Sequence, residues 1–369
     1  MPAHTLPILG RKLYVVSSPY LAAAVMRKRT LSFAPLLANF TNIMLGLDGP
    51  GLDMWKGPDF HAAYFRVLYK GLGGESLANL TTALVGNTTN ILSRMPHSDV
   101  DVTNFYEWIR EVLTAATTAA LYGSKNPLKE PKMIETFWTF HDGMHRFLIP
   151  AAPSIVAPTA YKARYEVQEG IEAYITMENE MADDVPQFTR DRIGIGKKFG
   201  LCANDISKIE FGFAIASLAN TTALLYWFLS HIYSQPGLLA NIREELLNVV
   251  EEHQARQPEL AERQMTLHLG GIKDRCPLFF SCFQETQRLT AVDNVNRVVT
   301  ADTTLTEGDR TFVLKKGQHL QVPLAILHRD PEVWGEAPET WISDRFLKMG
   351  EKAVSQTGFF PFGGGKHQW

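Results

Sequence analysis

Along most of this chain hydrophobic positions recur with a helical period, and one stretch departs from the pattern by lacking a charged face. Phe211 to Tyr233 contains no Asp, Glu, Lys or Arg. Coiled as a helix it would extend about 34 Å, enough to cross a bilayer. Ser217, Asn220, Thr221 and Thr222 fall in its middle, where a spanning helix presents hydrocarbon and where amide and hydroxyl groups need partners. The pattern predicts the central helix of a large helical domain, its polar notch marking a buried site. A membrane span is the competing reading.

Ahead of that helix the periodicity predicts helices over about 60–95, 99–122, 131–147 and 161–183, the second capped by Asp99 or Asp101. Leu13 to Val16 reads as a short strand closed by Ser17-Ser18-Pro19, which opens a helix through Met26. Residues 34–60, rich in Gly and Pro, read as a long loop with one short helix. Pro236 begins a charged amphipathic helix that runs to about Gln254. Beyond residue 290 the period changes to that of strands. Asn296 to Thr300, Thr311 to Leu314 and His319 to Val322 are β runs separated by turns at Asp302, Gly308 and Lys315-Lys316-Gly317. The sum is a mainly α chain with a small β-sheet region, an α+β class. No repeat or linker divides residues 1–369, which read as a single domain. The sheet is expected to join strands near residues 6–16 to strands near 297–323.

Composition narrows the class. At 45% hydrophobic and 20% charged, the chain has the balance of a soluble globular protein with a sizeable core. A formal net charge of −3 gives no electrostatic basis for binding nucleic acid. Cys202, Cys276 and Cys282 form no disulfide framework and no zinc pair, and read as core thiols of a reducing compartment. No export signal or anchor precedes the first strand. The Asn-x-Ser/Thr triplets headed by Asn39, Asn79, Asn87 and Asn220 read as chance matches in its absence.

Candidate chemistry lies in the last third. Pro277 opens an apolar helix carrying Glu285 and Arg288, which share a face at i,i+3. An exposed pair of this kind would contribute little. Phe279, Phe280, Cys282 and Phe283 imply burial instead, and a buried pair calls for a third charged partner from elsewhere. Further on come His328-Arg-Asp-Pro, Trp341-Ile-Ser-Asp-Arg345-Phe346, and Phe359-Phe-Pro-Phe362-Gly363-Gly364-Gly365-Lys366-His367-Gln368-Trp369. The glycine run is not a phosphate loop, since the spaced glycine, the Ser/Thr and the following helix are missing.

Taken in order, these segments resemble the cytochrome P-450 family of haem-thiolate monooxygenases. The central helix is similar to the family's oxygen-binding helix, and Glu285-Thr-Gln-Arg288 to its Glu-x-x-Arg helix. Asp344-Arg345-Phe346 is similar to its Pro-Glu-Arg-Phe segment, and Phe362 through Gln368 to its haem loop, Phe-x-x-Gly-x-His-x-Cys. The resemblance supplies the third partner, Arg345, for a structural ion cluster with Glu285 and Arg288. It implies haem as cofactor, with Phe362, Gly363, Gly365 and Lys366 in the haem loop. Arg297 would meet one propionate and His367 the other; an exposed strand residue is the alternative for Arg297. Arginine suits the role because its charge is permanent and its donors are forked.

Asn220, Thr221 and Thr222 stand where many members carry the acid-threonine pair that relays protons. An amide cannot donate a proton as a carboxylic acid does. Asparagine here is similar to the sterol 7α-hydroxylase and prostacyclin synthase branch, which leaves hydroxylation and isomerisation both open. Hydroxyls bonded back to their own helix are the alternative. Two departures stand out. The position of the family's cysteine ligand is occupied by Trp369, so no metal ligand is assigned, and an indole has no lone pair to offer a metal. The helix that usually contacts a propionate lacks its Trp-x-x-x-Arg, leaving Arg66 or Lys70 for that part. Both ends look cut relative to the family.

The resemblance further implies a small lipophilic, sterol- or lipid-like substrate and a reductase electron donor. Membrane association, at the endoplasmic reticulum, is implied only for a full-length form. As written, the chain is expected to bind without activating oxygen, either as an incomplete haem enzyme or as a non-catalytic relic that keeps a lipophilic pocket.

Overall fold

The computed structural model describes residues 1–8, 10–96, 98–149, 152–256, 271–354 and 358–364. The chain falls into two compact units, one of Met1–Leu36 with Leu224–Trp369 and one of Leu37–Ala223. The fold is mainly α with two small sheets.

The first unit holds all the strands. β1 (Ala3–Ile8), β2 (Arg11–Val16), β3 (Leu31–Ser32), β4 (Asn294–Val299) and β7 (His319–Pro323) form one sheet in the order β1-β2-β7-β4-β3. The expected long-range pairing is present: β2 runs parallel to β7 with Leu13 opposite His319. β5 (Thr303–Glu307) and β6 (Arg310–Leu314) make a separate hairpin. Val16, Val299, Leu320 and Val322 are buried on the sheet, with Leu21, Ala22 and Val25 of the Pro19–Arg27 helix among the same core group. That helix starts where the sequence dictates: Pro19 occupies the first turn, and the Ser18 hydroxyl accepts the Leu21 N–H at 3.3 Å.

Among the described residues the second unit is built from helices and loops with no strand, around a core that includes Phe60, Tyr122, Phe137, Phe140, Ile171 and Phe211. Several boundaries differ from the sequence expectation. The 60–95 stretch is two helices, Pro58–Gly71 and Gly74–Leu92, broken at Leu72-Gly73. The next helix starts at Phe105, where the Asn104 side chain accepts from Tyr106 and Glu107 N–H. Asp99 and Asp101 therefore lie outside it. Residues 34–60 form two helices, Ala34–Leu45 and Gly49–Lys56, in place of a loop with one.

The central helix is longer than its uncharged core and spans Ala203–Tyr233. Among the described residues it is the one helix long and apolar enough, by length and composition, to cross a membrane. It is not buried on every side. Ala216, Asn220, Thr221 and Trp227 are exposed, while Phe211, Ala214, Leu218 and Thr222 are buried. Cys202 is exposed as well, unlike Cys276 and Cys282, so only two of the three thiols are core residues.

Candidate functional site

The Pro277–Thr290 helix is fixed at its start by Glu245, whose carboxylate accepts the Leu278 and Phe279 N–H groups at 2.9 and 3.0 Å. Those are orphan donors of a first turn, and a negative charge there also suits the helix dipole. So anchored, the helix turns Glu285 and Arg288 inward, where both side chains are fully buried. Arg288 donates from Nε and Nη2 to the two Glu285 oxygens at 2.8 Å each. Arg345 reaches Glu285 Oε1 from Nε at 2.9 Å, and the Ile342 N–H adds 3.1 Å to the same oxygen. Backbone carbonyls take the remaining guanidinium donors. Arg288 serves His328, Pro338 and Thr340, and Arg345 serves Trp334, Ala337 and Thr340. The structure thus brings Glu285, Arg288 and Arg345 together. One carboxylate holds two cations, and the cations hold the irregular chain between residues 328 and 345.

β4 presents Arg297 between Val295 and Val299 on one face, because side chains two apart in a strand point the same way. Those valines are buried, so the guanidinium sits in apolar surroundings, and burial lowers its pKa. Its donors go to the Asn296 carbonyl at 2.9 Å and, from Nη2, to the Gly364 carbonyl at 2.9 Å. No carboxylate among the described residues pairs with it. The Gly364 carbonyl belongs to the glycine run, which passes close to the Pro19–Arg27 helix. A Cβ at Gly364 would lie 2.7 Å from Met26 Cγ, and Gly363 has φ +70°. Glycine is required at both positions, for close approach at one and for backbone conformation at the other. Phe362 is exposed. Gly365, Lys366, His367 and Trp369 lie outside the described residues.

The polar notch is not uniformly buried, contrary to the sequence expectation. Asn220 and Thr221 are exposed. Ser217 bonds back to the Phe213 carbonyl at 2.9 Å, the local alternative. Thr222 is fully buried, and its hydroxyl has no partner among the described residues. The 3.6-residue period separates them: Ala216, Asn220 and Trp227 share one face, and Leu218 and Thr222 another. Arg66 and Lys70 are exposed on the Pro58–Gly71 helix.

Two arrangements escape a reading of the sequence. His328 is fully buried and bonded through both ring nitrogens. Arg192 and Glu210 form a second buried ion pair, in the helical unit, with 0% and 1% of their side chains exposed.

A sequence model of cytochrome P450 matches residues 10–368. The chain belongs to the cytochrome P450 family. It is 28% identical over 372 residues to a cytochrome P450 monooxygenase of Gibberella zeae, covering 100% of this chain and 70% of that one. It is 26% identical over 309 residues to the cholesterol 7-alpha-monooxygenase of Cricetulus griseus, covering 80% of this chain and 59% of that one. The fold resembles retinoic acid-bound cyanobacterial CYP120A1, with a TM-score of 0.69 at 17% identity, covering 99% of this chain and 79% of the other. The family's members are haem-dependent monooxygenases, and haem is the cofactor the family implies. Arg297 fits that group: a half-buried guanidinium at the glycine loop, lacking an anionic partner among the described residues, suits a carboxylate such as a propionate.

Proposed function

We propose that this chain holds haem beside its glycine loop and Arg297, and binds a small lipophilic, sterol- or lipid-like substrate. The observation that carries the reading is Arg297, set between two buried valines with Nη2 on the Gly364 carbonyl. When bound, haem supplies oxygen activation; everything else is the work of the chain. Arg297 would neutralise one propionate, and the family resemblance gives His367 the other and Phe362, Gly363, Gly365 and Lys366 the loop. The family resemblance assigns Asn220, Thr221 and Thr222 to the oxygen-binding helix, where an amide and hydroxyls would orient water or a substrate oxygen without acting as acids; of the three, Thr222 is buried. That set serves hydroxylation or rearrangement equally. The uncharged Phe211–Tyr233 segment and a relative named for cholesterol support a lipophilic substrate. A reductase as electron donor and the endoplasmic reticulum membrane as location follow the same family reading.

For the 369-residue polypeptide itself we infer binding without oxygen activation, a pocket rather than a working monooxygenase. By the motif resemblance residue 369 stands where the family's thiolate ligand is expected, and it is tryptophan, whose indole donates a hydrogen bond and coordinates nothing. Thiolate ligation is what favours O–O cleavage. The test is spectroscopic. The reduced protein under carbon monoxide is expected to lack the red-shifted Soret band of thiolate ligation, and Trp369→Cys to introduce it. That band in the unsubstituted chain would defeat the inference. Haem uptake that is equal in wild type and in Arg297→Ala would remove the assignment of Arg297.

A further inference from the structure

His328 follows the short Leu324–Leu327 helix and is fully buried. Its Nδ1 lies 3.1 Å from the Arg288 carbonyl, and its Nε2 lies 3.1 Å from the Phe360 backbone nitrogen. Both partners have fixed roles. A carbonyl only accepts, so Nδ1 carries the proton; a backbone amide only donates, so Nε2 carries the lone pair. The ring is therefore neutral, in a single tautomer, and bridges two segments 72 residues apart (360 minus 288). Its own carbonyl accepts from Arg288 Nη1, which ties the backbone of His328 into the Glu285 cluster.

At the other end, Phe360 leads into the glycine loop. Arg297 holds the Gly364 carbonyl at 2.9 Å, so the segment is gripped at both ends by side chains of this chain. The Phe359 ring packs against His328, Trp334 and Phe346 at 5.6, 6.1 and 5.0 Å. Two cations, the guanidinium groups of Arg288 and Arg329, act on the imidazole. Burial, followed by these two cations, pushes the His328 pKa down to about 4, against the opposing carbonyls of Arg288 and Gly358.

We propose that His328 is a positioning residue: its neutral imidazole transmits the location of the Glu285–Arg288–Arg345 cluster to Phe360 and so sets where the haem loop begins. The inference rests on reading the glycine run as the haem loop. Two substitutions separate the two ring nitrogens. In His328→Gln the amide oxygen can stand near the place of Nε2 and accept from Phe360. In His328→Asn the shorter amide can donate to Arg288 but falls short of Phe360.

Hydrogen exchange across residues 358–364 reads the tether directly. His328→Asn is expected to speed exchange of the Phe360 amide about tenfold, the loss of one neutral hydrogen bond, and His328→Gln to stay within about threefold. Haem loss to apomyoglobin should follow the same order. Equal exchange in wild type and both variants would overturn the proposal, as would equal acceleration in both. If both variants fail to fold, the tautomer in wild type decides: nitrogen-labelled histidine must show His328 protonated at Nδ1, and a proton on Nε2 overturns the assignment. Should exchange behave as expected while wild type takes up no haem, the tether stands and the haem reading fails.

Discussion

Two buried charge clusters, one in each unit, are solvated by opposite means. Around Glu285, the cations of Arg288 and Arg345 spend their donors on one carboxylate and on carbonyls of residues 328–340. In the helical unit, Arg192 gives Nε and Nη2 to Glu210 at 3.0 and 2.8 Å, and Tyr122 donates to the same carboxylate at 3.2 Å. Among the described residues no backbone carbonyl accepts from Arg192. Instead the guanidinium lies against the rings of Phe188 and Phe213, at 4.4 and 3.9 Å from their centroids, and Nη1 has no partner among the described residues. The first cluster organises irregular backbone; the second fills a helix-helix contact. Charge burial is thus architectural in one unit and a matter of packing in the other.

The largest consequence follows at Glu285. Glu285→Ala leaves two cations in a protein interior without their anion, and is expected to lower stability by about 3–5 kcal/mol. Thermal or denaturant unfolding measures it. Replacing all three charged residues with apolar ones should do no better, because the carbonyls of His328, Trp334, Ala337, Pro338 and Thr340 would lose their donors. An unchanged midpoint in either protein would show that the cluster does not hold this segment.

The two clusters also differ in how far the sequence betrays them. Glu285 and Arg288 sit at i,i+3 on a helix with visibly apolar neighbours, and that pattern alone demands a third partner. The family resemblance identifies it as Arg345. The strands β2 and β7 are legible as short runs next to turn residues, while their pairing follows from the family resemblance. Arg192 gives no such sign. Its helix, Gln187–Lys198, buries Phe188, Thr189, Arg192, Ile193 and Gly196. A face containing an arginine and a glycine does not read as an apolar stripe. The glycine is there because a Cβ at position 196 would stand 2.7 Å from Ile206 Cγ1. His328 is visible as a residue but not as a bridge, because its partners lie 40 residues before it and 32 after. The polar notch shows a third kind of loss. Asn220, Thr221 and Thr222 are adjacent in sequence, yet a helix sends adjacent residues to different faces, and only Thr222 is buried.

Acid and alkali should separate the units. His328 has its pKa lowered from 6.5 to about 4 on folding, chiefly by burial. The unfolded chain therefore binds the proton first. Its contribution is complete above about pH 6.5 and is lost as pH falls toward 4, in total roughly 3 kcal/mol. Tyr64 and Tyr122 in the helical unit behave in the opposite sense. Burial and then the Glu210 carboxylate raise both above their usual 10, so their contribution is complete below pH 10 and lost as pH rises beyond it. Hydrogen exchange followed by unit is expected to show residues 294–364 opening first in acid and residues 37–223 first in alkali. In His328→Gln the acid slope between pH 6.5 and 4 should flatten. Simultaneous opening of both units at either extreme would deny the distinction.

The smallest effect gives the sharpest contrast. Removing Glu210 alone would strand Arg192, but Arg192→Met together with Glu210→Leu removes both charges and keeps long apolar side chains at both positions. Buried pairs replaced by apolar residues of similar volume are often neutral or stabilising. Two local terms oppose each other. The orphaned Nη1 disappears, relieving about 1–3 kcal/mol, while the Tyr122 hydroxyl and Thr189 lose partners worth about 1 kcal/mol each. Burial opposes the charge on Arg192, and Glu210 overrides it by raising the pKa, so no proton release complicates the comparison near neutrality. The double variant is therefore expected within about 1 kcal/mol of wild type by denaturant unfolding, with an unchanged slope. A loss of about 3 kcal/mol or more would mean that the Arg192–Glu210 pair also dictates backbone placement. The two clusters would then be alike in function, however differently they are solvated.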